Sequence, residues 1–210
     1  EHALKAVDPY RAVLRHMYVE GNVLRVDDQT YDLAGYRHIY VVGGGKACYP
    51  QALAVEELLG DRIEDGYISV KKGQLAPFIE RLGPLKRIRV DESAHPVPDE
   101  TSLRAGEQIL AIADRADERD LVLVLMSGGT SSQVIAPVEG VSVTDIARAH
   151  HLVITAGLDI TEIMTVRGHL SHIKCGGLAR RLYPATIVTL VVSDEKNDAI
   201  MWNTDWVSPN

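Results

Sequence analysis

Two short glycine-rich loops have the composition of an anion-binding site. Gly43-Gly44-Gly45-Lys46 follows the apolar run 38–42, and a second loop, SGGTSS, follows the apolar run 121–126. Glycines let backbone N–H groups approach a phosphate or carboxylate because no Cβ intervenes, and hydroxyls supply further donors. Lys46 adds a positive charge. The loops predict an anion-binding site with these members: Gly43, Gly44, Gly45, Lys46, Ser127, Gly128, Gly129, Thr130, Ser131 and Ser132.

Neither loop matches a motif that fixes the chemistry by itself. The first has neither Walker spacing nor the dinucleotide fingerprint, and alone it is also consistent with a tight turn that ends in a solvated lysine. The second could be a polar loop at a sheet edge. It does not contain the G-x-S-x-G nucleophile elbow, and no convincing histidine and acid accompany it. Two such loops in one chain favour anion binding over acyl transfer.

His95 lies in the string HPVPDE, after a third strand-like run. The two prolines stiffen this segment because each fixes φ and biases the preceding residue towards extended backbone. A histidine held there could contact a substrate, although such residues more often pack within the loop. Asp99 is expected to cap the helix that follows.

Residues 162–174, EIMTVRGHLSHIK, combine several charged and polar side chains. Spacings of three and four residues predict that Arg167, Ser171 and Lys174 share one helical face, where they could clamp an anion. The alternative is a solvated face with internal ion pairs. His169 and His172 stand three residues apart, but a metal site there lacks a supporting carboxylate.

Asp194 and Asp198 follow the last strand-like run. Carboxylates at a strand end beside phosphate-binding loops suit Mg²⁺, which takes a few carboxylates together with phosphate oxygens. Their alternative role is to form a turn or a helix cap.

Strand-like and helical patterns alternate along the chain. Apolar runs of strand length are predicted at about 38–42, 66–70, 87–90, 121–126 and 186–192. Helical patterns cover Ala47 to Leu59 and Ser102 to Ala116, and three more occur between Asp145 and Tyr183. This alternation predicts an α/β fold, a three-layer α/β/α sandwich around a mainly parallel, Rossmann-like sheet.

The opening segment has a different pattern. Asp8 followed by Pro9 predicts the start of an N-terminal helix, and 23–26 with 30–33 predicts a β-hairpin. We expect 1–36 to pack on a main domain that covers 37–198, with a tail at 199–210.

The predicted topology sets where the chemistry lies. Ligands of an open parallel sheet bind beyond the carboxyl ends of its strands. We therefore expect Lys46, His95, Ser127 and Asp194 to meet at one edge.

Composition narrows the classes of partner and compartment. The chain has 210 residues and a formal net charge of −7, and its basic residues are scattered, which argues against nucleic acid or an acidic membrane as a partner. Its two cysteines make no metal or redox spacing, which is consistent with the cytoplasm. No apolar stretch approaches the ~20 residues of a membrane helix.

Five strings, taken in order, resemble the amino-terminal domain of type-2 glycerate kinases. This is the family whose carboxy-terminal part is called MOFRL, and some of its members were labelled hydroxypyruvate reductases. The strings are VVGGGKA, HPVPDE, LMSGGTSS, EIMTVRGHLSHIK and VVSD. The resemblance extends from about Ala6 to about Asp198.

The resemblance implies that D-glycerate is phosphorylated by ATP with Mg²⁺, in a cleft between this domain and a C-terminal domain that we expect to be absent here. It implies catalytic roles for Lys46 and Arg167 and a metal site at Asp194, to which Asp198 is added by position. Whether the protein is a homodimer is left open. Substrate or nucleotide contacts are expected from both glycine-rich loops and from His95, His169, Ser171 and Lys174.

The sequence departs from the family pattern at four positions. Met164 replaces Asn, Gly168 replaces Lys, Cys175 replaces Gly, and Asn197 replaces the Gly of a Gly-Asp pair. These departures keep open a non-catalytic ligand-binding domain. A hydroxypyruvate reductase is the other alternative, although no dinucleotide fingerprint follows the first strand.

Overall fold

A computed structural model describes residues 8–193 and Trp206, so Asp194 and Asp198 lie outside the described residues. Within this part, five parallel strands form the main sheet in the order β6-β5-β4-β7-β8, and three antiparallel strands form a smaller one. All five predicted strands of the main sheet are confirmed. The strands are β1 (Met17–Glu20), β2 (Val23–Val26), β3 (Gln29–Asp32), β4 (His38–Gly44), β5 (Ile63–Lys71), β6 (Ile88–Ser93), β7 (Asp120–Ser127) and β8 (Thr186–Val192).

The helices cover both faces of the main sheet. They are α1 (Pro9–His16), α2 (Cys48–Leu59), α3 (Leu75–Leu82), α4 (Glu100–Ala113), α5 (Thr130–Gln133), α6 (Val143–Thr155), α7 (Ile160–His169) and α8 (Gly177–Leu182). Helix α2 packs with the small sheet on one face, and α4 packs with α8 on the other. The predicted three-layer sandwich is confirmed.

Strand β7 shows why the central strands read as unbroken apolar runs. Leu121, Leu123 and Leu125 belong to one core, whereas Val122 and Val124 belong to the core on the opposite face. Because neighbouring side chains point to opposite faces and helices cover both, every position must be apolar.

The N-terminal prediction is confirmed and extended. The Asp8 side chain accepts a hydrogen bond from the backbone N–H of Tyr10 at the start of α1. The predicted hairpin forms from β2 and β3, and β1 adds a third antiparallel strand that the sequence pattern did not indicate. Strand β1 has four residues, too few for its alternation to be distinctive.

Helix α3 was also not indicated by the sequence. It has eight residues, contains Pro77 and begins at Gln74 without a side-chain cap, so it lacks the usual start signal. Helix α4 begins two residues before the predicted start, because Asp99 and Ser102 form a reciprocal capping box. The expected capping role of Asp99 is confirmed.

Candidate functional site

The carboxyl ends of β4, β5, β6 and β7 bring Lys46, Lys71, His95 and Ser127 to one edge of the sheet. The Lys46 backbone N–H donates to the Gly128 carbonyl at 2.9 Å, and the Gly45 N–H donates to the Ser69 carbonyl at 3.1 Å. On the neighbouring strand pair, the Lys72 N–H donates to the Ser93 carbonyl at 3.0 Å. Lys46, His95 and Ser127 therefore lie at one edge of the sheet.

The two glycine-rich loops are interlocked. The Ala47 N–H donates to Ser127 Oγ at 2.9 Å, and Thr130 Oγ1 donates to the Gly44 carbonyl at 2.7 Å. Gly45 has φ of 123°, and a Cβ there would overlap the Ser127 hydroxyl. Glycine is therefore required at this position by both conformation and space.

Most hydroxyls of the second loop are used within the protein. Thr130 begins the short helix α5, and Ser132 Oγ donates to the Gly129 carbonyl at 3.2 Å. The buried Ser131 Oγ has no hydrogen-bond partner among the described residues. Of the predicted donors, Ser127, Thr130 and Ser132 thus hold the loop in shape, and Ser131 remains for another partner.

Three side chains surround the Gly128-Gly129 turn. A Cβ at Gly128 would lie 3.7 Å from Lys46 Nζ. A Cβ at Gly129 would lie 2.7 Å from Gln133 Nε2 and 3.1 Å from His95 Nε2. Gln133 is fully buried, and neither amide atom has a partner within the part of the chain that the structure describes. The turn is therefore bordered by an ammonium group, an imidazole and an amide.

The electrostatics of this edge are positive. Burial lowers the pKa of His95 below its usual 6.5, and the positive charges of Lys46 and Lys71 lower it further. Lys46 is exposed and has no ion pair with a described carboxylate. In contrast, Lys72 pairs with Asp99 at 2.6 Å. Although burial raises the pKa of Asp99, hydrogen bonds from Lys72 and Thr101 outweigh it and bring that pKa to about 2.

The shared helical face predicted for Arg167, Ser171 and Lys174 is wrong. Helix α7 ends at His169, and Ser171 forms an isolated bridge with Pro137. Gly168 has a low helix propensity and stands next to the end of the helix. Ser171 and Lys174 therefore lie beyond the helix, although their spacing from Arg167 is helical.

Lys174 lies beneath α5 rather than at the surface. Its ammonium donates to the Ser131 carbonyl at 2.7 Å and to the Val134 carbonyl at 3.4 Å, and the residue is 2% exposed. Burial lowers the pKa of Lys174 to about 7, and the charge of Arg167 acts in the same direction. Lys174 therefore braces the end of the second glycine-rich loop.

Arg167 and His150 lie close enough to Lys174 for their charges to interact, and the three residues form a buried cluster in which His150 is neutral. Arg167 Nε and His150 Nδ1 are buried and have no hydrogen-bond partner within 8–193 or at Trp206. Burial lowers the pKa of His150 to about 3, and the charges of Arg167 and Lys174 add to the effect. His169 instead lies at the surface, with Nδ1 2.8 Å from the Thr165 carbonyl. The structure thus separates His169 from the cluster.

Sequence reasoning missed Gln133 and His150. His150 follows Ile146 by four residues and precedes Val153 by three, so a histidine on the apolar face of α6 was the available signal. Gln133 carried no signal, because its burial depends on the packing of α5 against the edge. For metals, the described residues contain no group of three or more histidine, cysteine or acidic side chains suited to an ion.

Two of the departures from the family pattern are in contact. A Cβ at Gly168 would overlap Cys175 Sγ and lie 3.2 Å from Cys175 Cβ. Cys175 has φ of 51°, a left-handed conformation that favours glycine. Cysteine at 175 thus requires glycine at 168, and the two substitutions are explained together.

This geometry defines an α/β domain with a cationic, glycine-lined edge on its parallel sheet. The family model of DUF4147, described as a domain of unknown function, matches residues 1–201, and the chain belongs to this family. A glycerate 2-kinase from Pyrococcus horikoshii is 38% identical over 196 residues, which are 93% of this chain and 42% of that relative.

Two solved structures share the fold. A glycerate kinase from Thermotoga maritima superposes with a TM-score of 0.80 at 32% identity, over 100% of this chain and 46% of that one. A further protein from Pyrococcus horikoshii gives a TM-score of 0.86 at 36% identity, over 99% and 45%. The resemblance to type-2 glycerate kinases is confirmed, and the chain spans less than half of the length of these relatives. No helix in the described part is long and apolar enough to span a membrane.

Proposed function

We propose that this chain is the amino-terminal part of a cytoplasmic glycerate kinase that transfers a phosphoryl group from ATP to D-glycerate with Mg²⁺. The observation that carries the proposal is the Gly128-Gly129 turn, bordered by Lys46, His95 and the Gln133 amide. Within the described residues, the Lys46 ammonium has no ion pair and the amide has no hydrogen-bond partner. Phosphoryl transfer depends mainly on positioning and on neutralising charge, and this edge supplies both.

The charges divide between two groups of residues. Lys46 and Lys71 lie at the ends of β4 and β5 beside the glycine-rich loops, where they would neutralise phosphate oxygens. Arg167 lies in the buried cluster with Lys174, and its planar guanidinium can bind a carboxylate through two hydrogen bonds. D-Glycerate and ATP together present both kinds of anion. We therefore assign catalytic roles to Lys46 and Arg167, whose positive charges would neutralise the phosphate and the carboxylate.

The described residues offer a place for the phosphates of ATP, but they do not by themselves form a magnesium site. Among the described residues, a Cβ at Gly128 would have only the Lys46 side chain within 4 Å, at 3.5 Å or more, and such space suits a polyphosphate. Mg²⁺ would be held by phosphate oxygens together with Asp194 and Asp198, and it would supply further charge neutralisation.

The test is a pair of coupled assays on the complete natural protein that carries these residues. With D-glycerate, ATP and Mg²⁺ we expect ADP formation, and with hydroxypyruvate and NADH we expect no NADH oxidation. NADH oxidation without ADP formation would replace the kinase by the reductase. The absence of both reactions would leave a non-catalytic binding domain.

The 210-residue chain alone provides a control. We expect little or no ADP formation from it, because a phosphoryl group in transfer must be enclosed from water and the relatives are more than twice as long. Turnover at an ordinary enzymatic rate by this chain would show that its own residues suffice.

A further inference from the structure

The side chains of Gln133 and His95 both lie beside Gly129. The Gln133 amide nitrogen and His95 Nε2 both approach the side of Gly129 where a Cβ would lie, at 2.7 and 3.1 Å from that position. Any larger residue at 129 would push both groups away, and φ of 98° at this position also favours glycine. The turn is therefore built to bring a hydrogen-bond donor and an imidazole nitrogen to one place.

The chemical state of the two groups is complementary. The amide is a buried donor and acceptor without a partner among described residues, a state that costs free energy in the absence of a ligand. Burial and the charges of Lys46 and Lys71 lower the pKa of His95 below 6.5, so the imidazole is neutral at pH 7. With its proton on Nδ1, this neutral ring accepts a further proton at Nε2. Among the described residues no carboxylate forms an ion pair with His95, and the charges that shift its pKa are those of the two lysines.

A hydroxyl group is the ligand that satisfies both. Its oxygen accepts one hydrogen bond, and its hydrogen is donated in another. We propose that His95 Nε2 accepts the proton of the attacking substrate hydroxyl while Gln133 Nε2 donates a hydrogen bond to the same oxygen. This inference rests on the proposed kinase function and assigns the general base within it.

The step balances as follows. The substrate O–H bond breaks and its proton passes to His95 Nε2, while the hydroxyl oxygen forms a bond to the γ-phosphorus. The bond from that phosphorus to the bridging oxygen of ATP breaks, and its electron pair leaves with ADP. Lys46, beside Gly128, is placed to neutralise the phosphoryl oxygens.

The first test is His95→Gln in the complete protein, with His16→Gln as the matched control. Glutamine retains a polar group near the Nε2 position but cannot accept the proton. We expect kcat to fall by at least ~10²-fold while the glycerate KM changes by less than about threefold. His16 is exposed, pairs with Asp27 and lies at the small sheet, so its variant should match the wild type.

The pH profile separates a base from a merely structural histidine. Wild-type kcat/KM should fall on acidification as His95 becomes protonated, at a pH lower than the usual histidine pKa of 6.5, and this limb should be absent in His95→Gln. Retention of the limb, or a kcat within threefold of the wild type, would overturn the assignment. No ADP formation from glycerate by the wild type would instead refute the proposed function, and this inference with it.

Gln133→Leu tests the other half of the pair and has a readout that needs no substrate. Leucine removes two buried atoms that have no partner among the described residues, so the thermal midpoint should be unchanged or higher. We expect kcat/KM to fall about tenfold, as for one lost hydrogen bond. A lower thermal midpoint would show that the amide has a structural partner. Unchanged kinetics would remove Gln133 from the site.

Discussion

The two edges of the main sheet differ in whether all of their buried polar groups have partners among the described residues. At the amino edge the fully buried Asp120 accepts hydrogen bonds from the His38 N–H at 3.2 Å, the Asp117 N–H at 2.9 Å and Arg37 Nη2 at 3.3 Å. At the carboxyl edge, the Gln133 amide and Ser131 Oγ are buried without described partners. The partnered groups at the amino edge stabilise the fold, whereas the two groups without described partners at the carboxyl edge belong to the site that we propose for the ligand.

The largest effect on stability is expected from a substitution that removes the buried acceptor at the amino edge. Asp120→Ala should lower the free energy of unfolding by about 3 kcal/mol or more, because Arg37 and two backbone N–H groups lose a shared acceptor. Urea denaturation measures this change. Glu118→Ala, an exposed acidic residue in the same loop, should change stability by no more than about 0.5 kcal/mol. Similar losses for both would show that Asp120 has no special role.

At the carboxyl edge the loss should appear in activity. Lys46→Ala in the complete protein should cut kcat/KM at least ~10²-fold and leave the thermal midpoint near that of the wild type. Lys46→Arg should not fully restore activity, since a planar fork does not occupy a point-charge position among glycines. Lys86→Ala, an exposed lysine that precedes β6 at the amino edge, is the control. Unchanged kinetics in Lys46→Ala would remove this residue from the site.

A pH-dependent effect is expected at the brace beneath α5. The pKa of Lys174 is about 7 in the folded chain and near 10.5 when unfolded, so the unfolded chain binds more protons between these values. Its burial penalty is fully present below pH 7 and is relieved as the pH rises. Between pH 7 and 9, wild-type stability relative to Lys174→Met should rise by about 2 kcal/mol. A difference that does not depend on pH would contradict the buried ammonium.

The smallest expected effect concerns the packing of Gly168 against Cys175. Alanine in place of an exposed helical glycine usually stabilises a protein, but Gly168→Ala should cost about 1–2 kcal/mol because its Cβ overlaps Cys175 Sγ. Cys175→Gly should relieve the overlap, so the double variant should recover most of that loss. Additive effects in this double-mutant cycle would mean that the two positions are independent.

The sequence was sufficient for the framework. Each central strand has its own apolar run, as in 121–126, and the order of strands and helices requires a parallel sheet with one ligand-binding edge. The convergence of Lys46, His95 and Ser127 followed from that connectivity. Helix α3 and strand β1 were missed because both are short and lack distinctive boundary signals.

Residue type and spacing could not predict which groups each polar side chain contacts. Spacing placed Arg167 and Lys174 on one helical face, yet the chain leaves the helix at His169 and buries Lys174 under α5. It also counted Thr130 as a donor to an anion, although its hydroxyl is used by the Gly44 carbonyl. Which donors are used and which are left free depends on contacts between distant segments.

The sequence by itself determined the layers, the convergence of the glycine-rich loops at one edge of the sheet, and the resemblance to the family. The first two follow from periodicity and connectivity, and the third from five strings in a fixed order. Only the tertiary structure placed Gln133 and His95 beside Gly129, and Cys175 Sγ where a Cβ of residue 168 would lie. Burial and hydrogen-bond satisfaction depend on side chains from different elements, so they exist only once those elements have packed.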